Sequence, residues 1–144
     1  MIPDFVETGI LPPGIHSATW GEFATRFVVF QHSDQRLRIG KQLEALIEEA
    51  KKSGIVRHLF VVGSYVTNKP EPNDFDCILV LDPAIVSTLM PPFQYNLVSR
   101  RMARKIFKGD ISPALDGSDA MEEYLQFFQT TRDGQRMGIV EIRL

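Results

Sequence analysis

Residues 63–76 of this chain read GSYVTNKPEPNDFD. The stretch begins with a turn of small residues and ends with two carboxylates, Asp74 and Asp76, that are one residue apart. An apolar, β-branched run over residues 56–62 precedes it, and a second apolar run over residues 76–81 follows. Each run has the length and composition of a buried strand. The pattern therefore predicts two strands joined by a polar loop.

The two carboxylates are predicted to act together. Because side chains alternate along a strand, Asp74 and Asp76 share one face while Phe75 points to the other. Magnesium prefers a few hard oxygen ligands and lets substrate phosphates complete its octahedron. Gly63 lets the backbone approach a phosphate, and the Ser64 hydroxyl with nearby N–H groups can donate hydrogen bonds to it. The arrangement indicates a site for a metal ion and a nucleoside triphosphate.

Two further residues complete the predicted site. Lys69 adds a positive charge from the loop between the two strands. Sites with two metal ions generally need another carboxylate. Asp110 is the candidate, because it starts a predicted strand over residues 110–115 that could lie beside the other two. We therefore predict Asp74, Asp76 and Asp110 as the catalytic and metal-binding residues.

Composition limits the classes of protein that the chain can represent. With 144 residues, 44% hydrophobic and 24% charged, it predicts one globular domain over residues 1–144. A net charge of −2 and a pI near 5.9 argue against a protein that coats nucleic acid, although local basic patches remain compatible. Cys77 is the only cysteine, and its apolar surroundings predict a buried, reduced thiol. No apolar run approaches the length of about 18 residues typical of a membrane span. We expect a soluble, cytoplasmic protein with no membrane partner.

The rest of the chain alternates helical and extended patterns. An irregular arm rich in proline is predicted over residues 1–19. The other predicted elements are helices over 20–32, 34–53, 93–107 and 119–128, a short helical turn over 85–90, and a strand over 138–144. Thr19, Asp34 and Asp119 are the predicted helix caps. This order predicts an α/β fold in which helices flank a small mixed sheet.

The central motif resembles a known signature. A Gly-Ser pair, nine intervening residues, an Asp-x-Asp pair and an apolar strand are similar to the core of the DNA polymerase β-like nucleotidyltransferase superfamily, especially its minimal bacterial members. The resemblance implies that Gly63 and Ser64 hold the β and γ phosphates of a nucleotide. It also implies that Asp74, Asp76 and Asp110 bind two Mg²⁺ ions, with Mn²⁺ as a substitute. The fold that it implies is the nucleotidyltransferase fold.

Other segments are similar to a bacterial family of uncharacterised nucleotidyltransferase-like proteins, so that the resemblance spans nearly the whole chain. These segments are residues 2–5, 11–16, 19–20, 127–134 and 138–140. The implied reaction is the attack of a protein or RNA oxygen on the α-phosphate of a nucleoside triphosphate such as ATP. A partner protein or a homo-oligomer would then help to recognise the acceptor, and the implied setting is a toxin–antitoxin or defence system.

Several alternatives stay open at this point. Haloacid-dehalogenase-like phosphatases and many glycosyltransferases place a carboxylate pair at the end of an apolar strand, whereas here the apolar run follows the pair. A catalytically inactive module that binds a nucleotide or a partner on the same fold is the main competitor, and it gains if Asp110 does not converge on the other carboxylates. Arg100, Arg104 and Lys108 lie on one helical stripe. That stripe faces either a nucleotide or RNA acceptor or, as the pattern favours, the solvent.

Overall fold

The computed structural model describes residues 2–85 and 89–144, and within them five strands form one sheet. The strands are β1 (Ile15–Ala18), β2 (Val56–Val62), β3 (Asp76–Leu81), β4 (Asp110–Leu115) and β5 (Ile139–Ile142). Their order in the sheet is β1-β5-β2-β3-β4. The β1–β5 and β3–β4 pairs are parallel, while β5–β2 and β2–β3 are antiparallel. The predicted α/β class and small mixed sheet are confirmed.

Helices cover both faces of this sheet. They are α1 (Trp20–Phe23), α2 (Asp34–Ser53), α3 (Pro92–Val98), α4 (Arg100–Phe107) and α5 (Asp119–Phe128). The longest of them, α2, ends at Gly54, whose left-handed φ of 71° suits a residue without a Cβ atom. Its apolar stripe is fully buried, as a helix packed on a sheet requires.

Two hydrophobic clusters lie on opposite faces of the sheet. The larger cluster lies on the face covered by α2, here called the α2 face, and includes Leu59, Cys77 and Ile111. The smaller cluster lies on the opposite face, here called the α5 face, and includes Ile78 and Val80. Residues of α5 pack against the smaller cluster. Alternate residues of each strand therefore face opposite cores.

Two predictions about the N-terminal region are wrong in part. Residues 15–18 belong to the predicted irregular arm, yet they form β1 and pair with β5. Three of those four side chains are not buried, so the segment carries no apolar alternation. The predicted helix over 20–32 continues from α1 as a π-helical turn over Ala24–Val28 and a 3₁₀ turn over Phe30–His32.

Helix boundaries differ from the sequence pattern at several caps. Thr19 caps α1 as predicted, but Ser33 and Ser118 cap α2 and α5 in place of Asp34 and Asp119. Each serine hydroxyl accepts a hydrogen bond from a backbone N–H three residues later, which makes the aspartate the first helical residue. The predicted helix over 93–107 is interrupted at Ser99, which caps α4. The predicted turn over 85–90 falls partly on residues 86–88, outside the described residues.

Candidate active site

The stretch that joins β2 to β3 forms one wall of a cavity of about 560 Å³. Five of the six predicted site residues line this cavity: Gly63, Ser64, Lys69, Asp74 and Asp76. The sixth, Asp110, lies next to it. A volume of this size falls within the range of pockets that hold small molecules and cofactors.

The Gly63 turn lies directly against a carboxylate. Gly63 follows the last residue of β2 and starts a 3₁₀ turn with a positive φ of 74°. A Cβ atom at this position would overlap the Asp76 carboxylate. Both the backbone conformation and the close approach of Asp76 therefore favour glycine at this position.

Asp76 and Asp110 are direct partners across the parallel β3–β4 pair. Asp76 alternates with Cys77, which belongs to the α2-face cluster, and Asp110 alternates with Ile111 of the same cluster. Both carboxylates therefore lie on the α5 face. This register places Asp110 beside Asp76 at the start of neighbouring strands.

The ionisation of Asp76 reflects these neighbours. Burial, followed by the negative charges of Asp74 and Asp110, raises its pKa to about 6, and the positive charge of Arg104 opposes this rise. No described residue donates a hydrogen bond or forms an ion pair with the Asp76 side chain. The three carboxylates thus form one electrostatically coupled group with an excess of negative charge at Asp76.

Two arginines of α4 neutralise the other carboxylates. The Arg104 guanidinium donates to Asp74 at 2.7 Å, and the Arg100 guanidinium donates to Asp110 at 3.0 Å. The hydrogen bond to Asp74 also raises the pKa of Arg104. Both arginine side chains are more than half exposed, so the stripe faces the solvent as the pattern favours, and in addition it binds these two carboxylates. The spacing of four residues correctly predicts that Arg100 and Arg104 lie on one face of the helix. It does not indicate their carboxylate partners, which lie on other elements.

A second cleft of about 630 Å³ lies beside the first and is lined by charged residues alone. Its lining residues are Asp74, Arg100, Arg101, Arg104 and Asp110. Asp74 lines both the cleft and the cavity. The carboxylate group can therefore be reached from two sides.

The loop that carries Lys69 is fixed by hydrogen bonds from Arg36. This side chain is fully buried in the first turn of α2, and its guanidinium donates to the carbonyl oxygens of Tyr65, Thr67 and Lys69 at 2.6 to 3.0 Å. A further bond reaches the carbonyl of Phe27 at 3.1 Å. Burial lowers the pKa of Arg36. A buried cation bonded to a row of carbonyls fixes the loop backbone and leaves the Lys69 side chain exposed.

The opposite wall of the cavity contains none of the predicted site residues. It consists of the end of α5 and the turn that follows, with Phe127, Phe128, Thr131 and Arg132 among its residues. Two consecutive phenylalanines at the polar end of a helix are the signal that could have indicated this wall.

With this geometry established, the chain can be compared with known proteins. A model of a family of unknown function, DUF6932, matches residues 3–143. The chain belongs to this family. No match is found among curated proteins or among solved structures.

The side chains at the predicted metal site can be compared with the ligands that Mg²⁺ needs. Among residues 2–85 and 89–144, no three His, Cys, Asp or Glu side chains stand together as a ready metal-binding group. Carboxylate oxygens are the ligands that Mg²⁺ prefers, so the chemistry of Asp74, Asp76 and Asp110 fits the ion. Two of the three carboxylates, Asp74 and Asp110, form ion pairs with arginines. These ion pairs must break before the three carboxylates can bind one metal ion together.

The helices of the described residues can also be compared with the thickness of a lipid bilayer. In the described ranges 2–85 and 89–144, none is both long enough and apolar enough to cross a membrane.

Proposed function

We propose that this chain is a metal-dependent nucleotidyltransferase with a polymerase β-like fold. It would move a nucleoside monophosphate from a nucleoside triphosphate onto a protein or RNA acceptor. The observation that carries the proposal is the pairing of Asp76 with Asp110 in register, with the Gly63 turn directly against Asp76. A phosphate-binding turn and a carboxylate group at adjacent strand ends are the parts that phosphoryl transfer needs.

The phosphate-binding part of the proposal rests on Gly63, Ser64 and Lys69. All three line the cavity, and the Lys69 ammonium has no ion-pair partner among the described residues. The Thr67 N–H and hydroxyl both donate to the Ser64 carbonyl, which fixes the turn. The Ser64 hydroxyl itself has no hydrogen-bond partner among the described residues and can donate to a ligand. These groups would bind and orient the β and γ phosphates.

The carboxylates form the metal-binding part. Asp74, Asp76 and Asp110 would hold Mg²⁺ or Mn²⁺, which when bound would stabilise the charge on the transferred phosphoryl group and the leaving pyrophosphate. Arg100 and Arg104 release Asp110 and Asp74 in that state, and their guanidinium groups then face the second cleft. The proposal assigns that cleft to the acceptor, because it shares Asp74 with the nucleotide cavity.

The setting is part of the same proposal. A reaction in the cytoplasm agrees with the buried thiol of Cys77, whose pKa is raised by burial. Acceptor recognition would involve a partner protein or a second copy of the chain, in a toxin–antitoxin or defence system.

One observation favours a second candidate, an inactive module that binds a nucleotide or a partner on the same fold. The ion pairs Arg104–Asp74 and Arg100–Asp110 satisfy two carboxylates without any metal ion. If these pairs persist when a nucleotide binds, the fold retains a ligand cavity but lacks a complete catalytic group.

Incubation with Mg²⁺ or Mn²⁺, each labelled nucleoside triphosphate and a cell lysate tests the two candidates. We expect label transfer by the wild type and its loss in Asp76→Asn. The control is Asp119→Asn, which removes an exposed carboxylate at the start of α5 and should leave transfer unchanged. Transfer that persists in Asp76→Asn contradicts the proposed enzyme, and nucleotide binding without any transfer favours the inactive module.

A further inference from the structure

The end of α5 exposes a large aromatic side chain beside the cavity. Phe127 is 71% exposed, more than any other described aromatic side chain among the large exposed hydrophobic residues. Its neighbour Phe128 is half-buried and packs against the α5-face cluster. The two rings are perpendicular, with centroids 5.0 Å apart. An exposed ring supported by an anchored one is a firm apolar surface.

The turn after α5 is also preformed. Thr131 N–H donates to the Gln135 carbonyl, Gly134 N–H donates to the Thr131 carbonyl, and the Thr131 hydroxyl bonds to Asp133. Thr130 and Arg136 form a bridge across the base of the same turn. The second wall of the cavity is therefore held by its own hydrogen bonds before any ligand arrives.

The two walls of the cavity differ in chemistry. One wall has the Gly63 turn, Ser64 and Lys69, which suit phosphate oxygens, and the other has the rings of Phe127 and Phe128. A ligand that contacts both walls has an anionic part and a flat apolar part. A nucleoside triphosphate has this combination, since every base presents a π face at the opposite end from its phosphates.

We propose that Phe127 is the platform on which the base of the bound nucleoside triphosphate stacks. This inference rests on the proposed function, because it uses the same cavity and the same ligand class. Stacking on one ring accepts all bases, so Phe127 supplies affinity for a nucleoside and little choice between bases. Phe127 is a binding residue in this assignment, and the transfer chemistry stays with the carboxylates.

Binding measurements with two ligands test the platform. Calorimetric titration of the full chain with Mg²⁺ and either ATP or inorganic tripolyphosphate separates the base from the phosphates. We expect Phe127→Ala to weaken ATP binding about five- to hundred-fold, and to leave tripolyphosphate binding unchanged. Phe93→Ala is the matched control, because Phe93 is a half-exposed aromatic residue on α3 that does not line the cavity. It should change neither affinity.

A second variant keeps the ring and reports on it. Phe127→Trp should retain ATP binding, and ATP should quench its indole fluorescence beyond the change seen in wild type, whose only tryptophan is Trp20. Unchanged ATP affinity in Phe127→Ala, or equal loss for ATP and tripolyphosphate, overturns the platform while the nucleotidyltransferase proposal stands. Failure of the wild type to bind either ligand overturns the proposed function, and the platform with it.

Discussion

The Asp76 carboxylate occupies the space that a Cβ atom at Gly63 would take. The positive φ of Gly63 turns the chain at the end of β2, and the missing Cβ leaves room for the Asp76 carboxylate. Gly54 has nearly the same φ, 71°, but no atom lies within 4 Å of the position that its Cβ would take. A substitution at Gly54 therefore tests the left-handed backbone alone, whereas a substitution at Gly63 tests the same backbone conformation together with the clash against the Asp76 carboxylate.

We expect Gly63→Ala to destabilise the protein more than Gly54→Ala. The left-handed conformation alone costs a non-glycine residue about 1 to 2 kcal/mol, which both variants pay in full. The clash with Asp76 adds to this cost only at position 63. Urea unfolding at neutral pH measures the difference, and equal destabilisation by the two variants would show that the Asp76 side chain moves aside freely.

The stability of the metal-free protein should fall as the pH rises through the range from about 4 to 6. Asp76 has a folded-state pKa of about 6 against an ordinary value of 3.8, so the folded state binds more protons in this interval. Above it, the ionised and partly buried carboxylate lowers the free energy of unfolding by about 1 to 3 kcal/mol.

Asp76→Asn removes this effect and should stabilise the protein at pH 7.5 more than at pH 4. Thermal unfolding in the presence of EDTA at both pH values checks the expectation, with Asp119→Asn as the control. An equal gain in stability at the two pH values would mean that ionisation of Asp76 does not destabilise the folded state.

Arg104 and a divalent cation are expected to compete for Asp74. Arg104→Gln frees this carboxylate and removes a positive charge, so it should tighten Mn²⁺ binding about two- to five-fold, as expected for loss of an exposed ion pair. Arg101→Gln is the control. It removes the same charge one turn earlier on α4, and Arg101 has no ion pair among the described residues. Mn²⁺ titration followed by electron paramagnetic resonance distinguishes them. Equal affinities for the two variants would exclude competition at Asp74.

Arg36 is expected to be essential for stability. Arg36→Met keeps much of the aliphatic volume but leaves the carbonyls of the Lys69 loop without their buried donor, which should cost more than about 3 kcal/mol. Arg38→Met changes an exposed arginine two residues away on α2 and should stay within about 0.5 kcal/mol of wild type. Denaturant unfolding of both variants provides the comparison. A small effect at position 36 would mean that water replaces the guanidinium.

The sequence predicted those elements whose signal is local. β3 is an apolar run after Asp76, β2 is apolar over most of its length, and β4 alternates weakly. The helix α2 has a full apolar stripe with a glycine stop, so the bounds of these elements follow from composition and periodicity. β1 was missed because a short edge strand with exposed side chains has no such signal, and its hydrogen bonds depend on distant β5. Serine caps were missed because an adjacent aspartate is an equally good cap in the pattern.

The candidate site divides in the same way. Asp74 and Asp76 could be selected from their spacing, and Asp110 from its position at the start of a strand. The partners of Arg100 and Arg104 could not, because ion pairs between α4 and the strand ends depend on tertiary packing. Phe127 was passed over for a similar reason, since its exposure and the cavity beside it exist only once α5 lies on the sheet.

The parallel pairing of β3 and β4 makes the carboxylate group depend on a single crossover. A parallel pair cannot be joined by a tight turn and needs a crossover, here the segment that contains α3 and α4. This segment leads into Asp110, the partner of Asp76, and also carries Arg100 and Arg104, which bond to Asp110 and Asp74. The third negative charge and the two cations that balance the group therefore belong to one continuous stretch of chain.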